Sequence, residues 1–343
     1  MPEKEISFDH LKELLLLLCR YPFEETNKGI LSDLIAEVKD WHKMVNLING
    51  HGIIALADYN IRQAGLEKAI PEDSMALLDN GRMQSMIRNT WLTERWKEVN
   101  TILTNAGIKH VLLKGMALEH TLYGAKGLRQ MTDNDILVKR EDSLKAWSLL
   151  QQEGFTYELL KSPLHRKILC DIGKHLPCLY KNGYAIEIHH KLYDNNLIDE
   201  KNLSDPVDEA VETLIGGKKA WILSEKHLLA HLADHFKKHA KGGEMPLRLY
   251  TDIALLDGTA GIDIPDNFIL NPMQYNKAQY LRSSYKITVK SIPFRYKWRF
   301  IVGDIFPALK WMKNRYKCSA FKAVLHYPPR VGKVLWLIEG VKV

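Results

Sequence analysis

The spacing of apolar residues changes character at Gly107, and that change constrains the fold more than any other feature of the chain. Before it, Leu11, Leu14, Leu15 and Leu18 follow the i, i+3, i+4, i+7 stripe of an amphipathic helix. Leu31, Leu34, Ile35 and Val38 repeat the stripe, and Trp41 and Val45 extend it. A long helix is expected over 83–103, with Met86, Trp91, Trp96 and Ile102 on its apolar face, stopping at Asn105-Ala106-Gly107. After Gly107 the runs are short and β-branched. Residues 109–113 read as a strand, Lys114-Gly115 as a turn, 116–123 as a helix and 124–132 as a loop. Residues 133–138 read as a second strand, and 141–152 as a helix closed by Gly154. Two further strands, 176–180 and 184–189, flank Asn182-Gly183. That dipeptide is a hairpin signal, because a type I′ turn needs positive φ at both central positions. After Leu192 the pattern is helical again, clearest over 224–240 and 248–256, with a loop over 258–272.

Charge divides the chain in a second way. Lys plus Arg is 48 and Asp plus Glu is 41, a net +7 over 343 residues. From Leu281 onward there are 14 basic residues against two acids, Asp304 and Glu339, or 14 − 2 = +12. The preceding residues carry 34 − 39 = −5. This is a mildly acidic body with a basic C-terminal segment. That segment interleaves Phe294, Tyr296, Trp298, Phe300, Phe306, Trp311 and Tyr316. It reads either as a nucleic-acid contact or as a helical cap whose cations face solvent or a polyphosphate; an amphipathic membrane-surface contact is a weaker third reading. An apolar share of 46% with 26% charged residues excludes wholesale disorder. The apolar run 14–19 is too short to span a bilayer, and MPEKEISFDH is too acidic for a secretory signal. Cys19, Cys170, Cys178 and Cys318 lack ligand spacing, so reduced thiols in a cytoplasmic protein are expected.

The chemistry concentrates in the strand region. In a strand, residues i and i+2 share a face, so Asp133 and Asp135 project together and Asn134 turns away. Adjacent carboxylates repel unless a cation lies between them, and an oxygen-seeking ion such as Mg²⁺ is the natural partner. Glu187 and His189 share a face of the hairpin's second strand, opposite Ile186 and Ile188. Placed beside 133–138, that strand brings three carboxylates together, a ligand set for metals clamping a phosphoryl or nucleotidyl transfer. Taken alone, an Asp-x-Asp pair is more simply a solvated surface feature.

The ordered set Leu112-Leu113-Lys114-Gly115-Met116-Ala117-Leu118, Leu122-Tyr123, Arg129, Asp133-Asn134-Asp135-Ile136-Leu137-Val138 and Glu187-Ile188-His189 resembles the nucleotidyltransferase superfamily that includes DNA polymerase β. It is closer to the bacterial branch called uncharacterised nucleotidyltransferase. The resemblance spans about 107–192 and continues more weakly to 256 through Arg248 and Asp252. It implies an α+β fold: a polymerase-β-like core with a small mixed sheet, flanked by N- and C-terminal helical regions. It also implies an NTP substrate and Mg²⁺. Asp133 and Asp135 would hold metals, Glu187 would complete the second site, and Gly115 would admit a phosphate at a helix N-terminus. Lys114, Arg129 and His189 would contact the nucleotide. Met116 stands where the wider superfamily has Ser or Gly, and it brings no hydroxyl.

The expected organisation is a helical region over 1–105, the nucleotidyltransferase core over 106–195, a helical domain over 196–275 and the basic segment over 276–343. The expected function is an enzyme moving NMP from an NTP to an unidentified small-molecule, glycan, protein or RNA acceptor. The alternative is a non-catalytic nucleotide- or RNA-binding module on the same fold. His227, His231, His235 and His239 recur every four residues and read as packing and polar contacts in the helical domain, ahead of a zinc site.

Overall fold

The structure, a computed structural model, describes residues 6–193, 204–258, 265–272 and 277–339. Helix α1 (Phe8–Leu18) starts where the Ser7 hydroxyl accepts the His10 N–H, and it buries Leu14, Leu15, Leu17 and Leu18. Helices α2 (Lys28–Glu37), α3 (Trp41–Gly50) and α4 (Ile54–Gln63) come next. The stripe expected to run on from Val38 to Trp41 is broken there. Val38 is extended, and Asp40 caps a new helix by accepting the Lys43 N–H.

Helix α5 (Glu72–Asn105) is longer than expected, 34 residues, with Glu72 and Asp73 favourably placed in its first turn. Its buried face carries Leu78, Leu92, Trp96, Val99 and Leu103, together with Ser85, Asn89 and Asn100. Met86, expected inside, is exposed, because the stripe that packs is offset from it. The buried asparagines make α5 a spine that later segments of the chain bond to. Asn89 donates to the Arg129 carbonyl. Asn100 hydrogen-bonds the His110 ring through its Oδ1 and donates to the Lys219 carbonyl.

Strand β1 (His110–Leu112), helix α6 (Lys114–Thr121), strand β2 (Asn134–Val138) and helix α7 (Arg140–Gln152) keep the expected order. Strand β3 (Thr156–Tyr157) and helix α8 (Pro163–Ile172) add to it. The hairpin forms as β4 (Leu179–Lys181) and β5 (Tyr184–His189), with Asn182 and Gly183 at φ 51° and 79°. Leu176 lies before β4, although its N–H still donates to the Ile188 carbonyl. Contrary to expectation, the residues after Leu192 are not helical throughout: β6 (Val211–Ile215) and β7 (Lys218–Ile222) form a second hairpin around Gly216-Gly217. Then come α9 (Glu225–Gly242) and α10 (Leu247–Asp257). The loop expected over 258–272 contains α11 (Asp266–Leu270), and its residues 259–264 lie outside the described residues. The basic segment is helical: α12 (Lys277–Ser291), α13 (Phe294–Ile305), α14 (Leu309–Tyr316), α15 (Ala320–Val324) and α16 (Tyr327–Glu339).

The strands form one seven-stranded mixed sheet in the order β3-β4-β5-β2-β1-β7-β6. Strands β1 and β7 pair in parallel, and β3 with β4, β4 with β5 and β6 with β7 pair antiparallel. The chain divides into two compact units, Met1–Ile136 with Asn195–Gln274 and Leu137–Asp194 with Tyr275–Val343. The boundaries expected at 195/196 and 275/276 lie outside the described residues. All four cysteines are free thiols.

Candidate metal centre

In the first unit the site begins where β1 meets α6. The Leu113 N–H donates to the Asp135 carbonyl at 3.0 Å, tying the end of β1 to β2. Asn134 turns the other way, as its position in the strand requires, and donates to the Leu92 carbonyl of α5. Asp135 therefore faces away from α5. Its carboxylate, 9% exposed, meets the Lys114 ammonium at 2.9 Å. Lys114 holds φ 22°, in the region that favours glycine, at the first position of α6. Such strain persists only where surrounding structure fixes it, and it gathers at functional sites. His235 of α9 lies within electrostatic reach of Lys114. Burial first, then the charge of Lys114, hold its pKa well below the ordinary imidazole value. Its ring stands 4.3 Å from that of His239 and stacks 6.5 Å from that of His231.

The loop between α6 and β2 is held by buried charges. Glu119 accepts the N–H groups of Gly127 and Arg129. Burial raises the Glu119 pKa, and these two donors oppose that rise. Arg129 donates to Asp252 of α10 through Nε at 2.9 and 3.0 Å and through Nη2 at 2.8 Å. The Tyr123 hydroxyl donates to the same carboxylate at 3.0 Å. A Cβ on Gly115 would meet Arg129 Nη1 and Met131 Sδ at 3.4 Å, so the guanidinium also packs against the Gly115 turn. Met116 is buried.

In the second unit, β5 alternates as expected. Ile186 and Ile188 are fully buried, while Glu187 and His189 share the other face. His189 Nε2 lies 3.6 Å from Glu187 Oε2, and His175 Nε2 lies 3.8 Å from the same oxygen. His175 and His189 are bridge partners. The next residue, His190, is pushed down to about 4, by burial first and then by Arg140 and Lys191.

Strands β2 and β5 are neighbours in the sheet. Asp135, Glu187 and His189 each offer one ligand atom, and these atoms all lie within 4.8 Å of one another. The set can hold a metal ion. Two carboxylates with one imidazole suit Mn²⁺ or Zn²⁺ as well as a Mg²⁺ that keeps some waters. The Lys114 ammonium contacts the same Asp135 carboxylate. Asp133 is outside the group. It precedes β2, is exposed, and accepts from Thr132 Oγ1 at 3.1 Å.

Sequence reasoning did not find Glu119, and it read His235 only as one of four histidines making packing and polar contacts. Glu119 lies mid-helix, with nothing local to mark the backbone groups it receives. The four-residue repeat that holds His235 does not by itself show that its ring comes near Lys114.

The family model described as uncharacterised nucleotidyltransferase matches residues 37–266, well over half of the chain. No curated protein and no solved structure matches the chain.

Proposed function

The chain belongs to the uncharacterised nucleotidyltransferase family, and from that premise we propose that it moves a nucleoside monophosphate from an NTP to an acceptor, with a divalent cation held by Asp135, Glu187 and His189. The observation that carries this reading is the convergence of those three ligand atoms. When bound, the cation supplies Lewis-acid charge to the phosphate oxygens.

The rest falls to the chain's own side chains. An acceptor oxygen bonds to the α-phosphorus, the bond to the bridging oxygen breaks, and pyrophosphate leaves. Glu187 is the most exposed of the three ligands, at 28%, and takes the acceptor's proton. Lys114 stands beside the ligand carboxylate and neutralises phosphate charge. Gly115 sits next to it at the N-terminus of α6, where backbone N–H groups favour an anion. Arg129 has three bonds committed to Asp252, so we assign it to holding the Gly115 turn rather than the phosphates.

The test is pyrophosphate release from each NTP with Mg²⁺ or Mn²⁺ across pools of acceptors. Asp135→Ala is expected to lose roughly 100-fold in rate. Equal release by both proteins removes the carboxylates from the reaction. One observation favours a binding module without turnover: Met116, buried after Gly115, gives the phosphates no hydroxyl. Metal-dependent NTP binding with no release from any pool would select that reading.

A further inference from the structure

Helix α13 has two apolar faces where an ordinary surface helix has one. Its inward face carries Phe300, which packs with Ile168 and Ile292. On the same side Asp304 is buried against Lys161 and His165. Its outward face carries Phe294, 91% exposed, Trp298, 73% exposed, and Val302. These lie four residues apart and, at about 100° per residue, span one sector of the helix. Ile301 and Ile305, half-buried, fall inside that sector. Arg295 and Arg299 border it on one side and Lys297 on the other, so a cationic rim flanks an apolar strip along both edges.

The surroundings carry the same sign. Among residues 281–338 the only acid is Asp304, and it is buried in its own ion pair. Lys286, Lys290, Lys310, Lys313, Lys317 and Lys322 are exposed. Exposed aromatic and aliphatic side chains of this size on a monomeric surface mark a binding face.

We propose that the outward face of α13 lies on an anionic lipid surface, with Phe294 and Trp298 in the headgroup–acyl boundary and Arg295, Lys297 and Arg299 on the headgroups. The aliphatic members decide between lipid and nucleic acid. A base stacks on a ring, but Ile301, Val302 and Ile305 offer no π face, and hydrocarbon accepts all of the strip. The basic rim supplies the charge complementarity that selects anionic headgroups.

Co-sedimentation of the full chain with vesicles tests this. The protein is expected to sediment with phosphatidylcholine vesicles containing phosphatidylglycerol and to stay in solution with phosphatidylcholine alone. Phe294→Ser/Trp298→Ser keeps every charge and is expected to weaken binding roughly tenfold or more. Arg295→Glu/Arg299→Glu is expected to weaken it at least as much. Val302→Asp is a single-site check should the paired variant lose helical signal by circular dichroism. Three outcomes overturn the proposal: no sedimentation with either vesicle, binding indifferent to the aromatic pair and to Val302→Asp, or capture of an RNA oligonucleotide in place of the vesicles.

Discussion

Lys114 has one use in the free protein and another in a loaded one, and they compete. Its ammonium compensates Asp135 at 2.9 Å, and the same carboxylate is a ligand in the proposed metal set. A cation that binds Asp135 must displace or share that contact. Lys114→Met is therefore expected to bind Mn²⁺ more tightly than wild type without nucleotide and to bind NTP more weakly, as calorimetry of each ligand would read. The Arg129–Asp252 pair is a different kind of residue contact. The arginine is 7% exposed and the carboxylate is fully buried. Removing one partner leaves a buried charge, which costs about 3–5 kcal/mol. Arg129→Met is expected to lower the denaturation midpoint accordingly. This pairing was not legible in the sequence. Both residues stand out there, but 123 positions separate them and no local pattern says that they meet. The strand alternation that put Glu187 and His189 on one face is local, and it was legible.

At the scale of elements, hairpins were readable where the turn chemistry is distinctive. Asn182-Gly183 placed β4 and β5 because positive φ at two successive positions admits few residue pairs. Gly216-Gly217 carries the same signal, yet β6 and β7 read as helical ground, since four of the five residues in β6 alternate poorly and are exposed or half-exposed. The loop from α6 to β2 shows a further limit. Gly127 has φ 73°, and a Cβ there would lie 2.6 Å from the Met86 Cα of α5. A methyl group would be strained in conformation and would overlap backbone. Gly127→Ala is expected to cost at least about 2 kcal/mol and to disturb the Glu119 contacts that lead the chain into β2. Urea denaturation of the variant measures the first effect, and amide exchange at Arg129 the second. Nothing in the sequence showed that α5 runs beneath this glycine, because that contact belongs to the packing of distant segments.

The molecule as a whole holds several histidines neutral. His51 is the clearest: the Leu247 N–H donates to its Nδ1 at 3.2 Å, and its Nε2 bonds the Ile269 carbonyl at 2.9 Å. That arrangement needs a bare Nδ1. Burial lowers the pKa of His51, of His110 and of His235 from the ordinary 6.5. The folded state thus resists protonation while the unfolded chain accepts it. The stability these groups contribute is complete above pH 6.5 and is lost as pH falls below it toward the folded values. Each contributes a slope of up to about 1.4 kcal/mol per pH unit. Melting temperature is expected to drop between about pH 7 and pH 5, and His51→Gln to flatten that drop. The overall plan, a mixed sheet flanked by helices, was legible from the ordered block that begins after Gly107. Asp133 was expected in the metal set and lies outside the group, because β2 begins one residue later and the strand alternation does not reach it.

Metal binding tests the central claim most directly, since it needs no acceptor. Free Mn²⁺ can be followed by its electron paramagnetic resonance signal during titration of the full chain, with and without a non-hydrolysable NTP. Wild type is expected to bind Mn²⁺ and to hold it more tightly with nucleotide. Asp135→Asn and Glu187→Gln are expected to weaken that binding roughly tenfold or more. Equal binding by all three proteins would contradict a metal centre built on Asp135, Glu187 and His189.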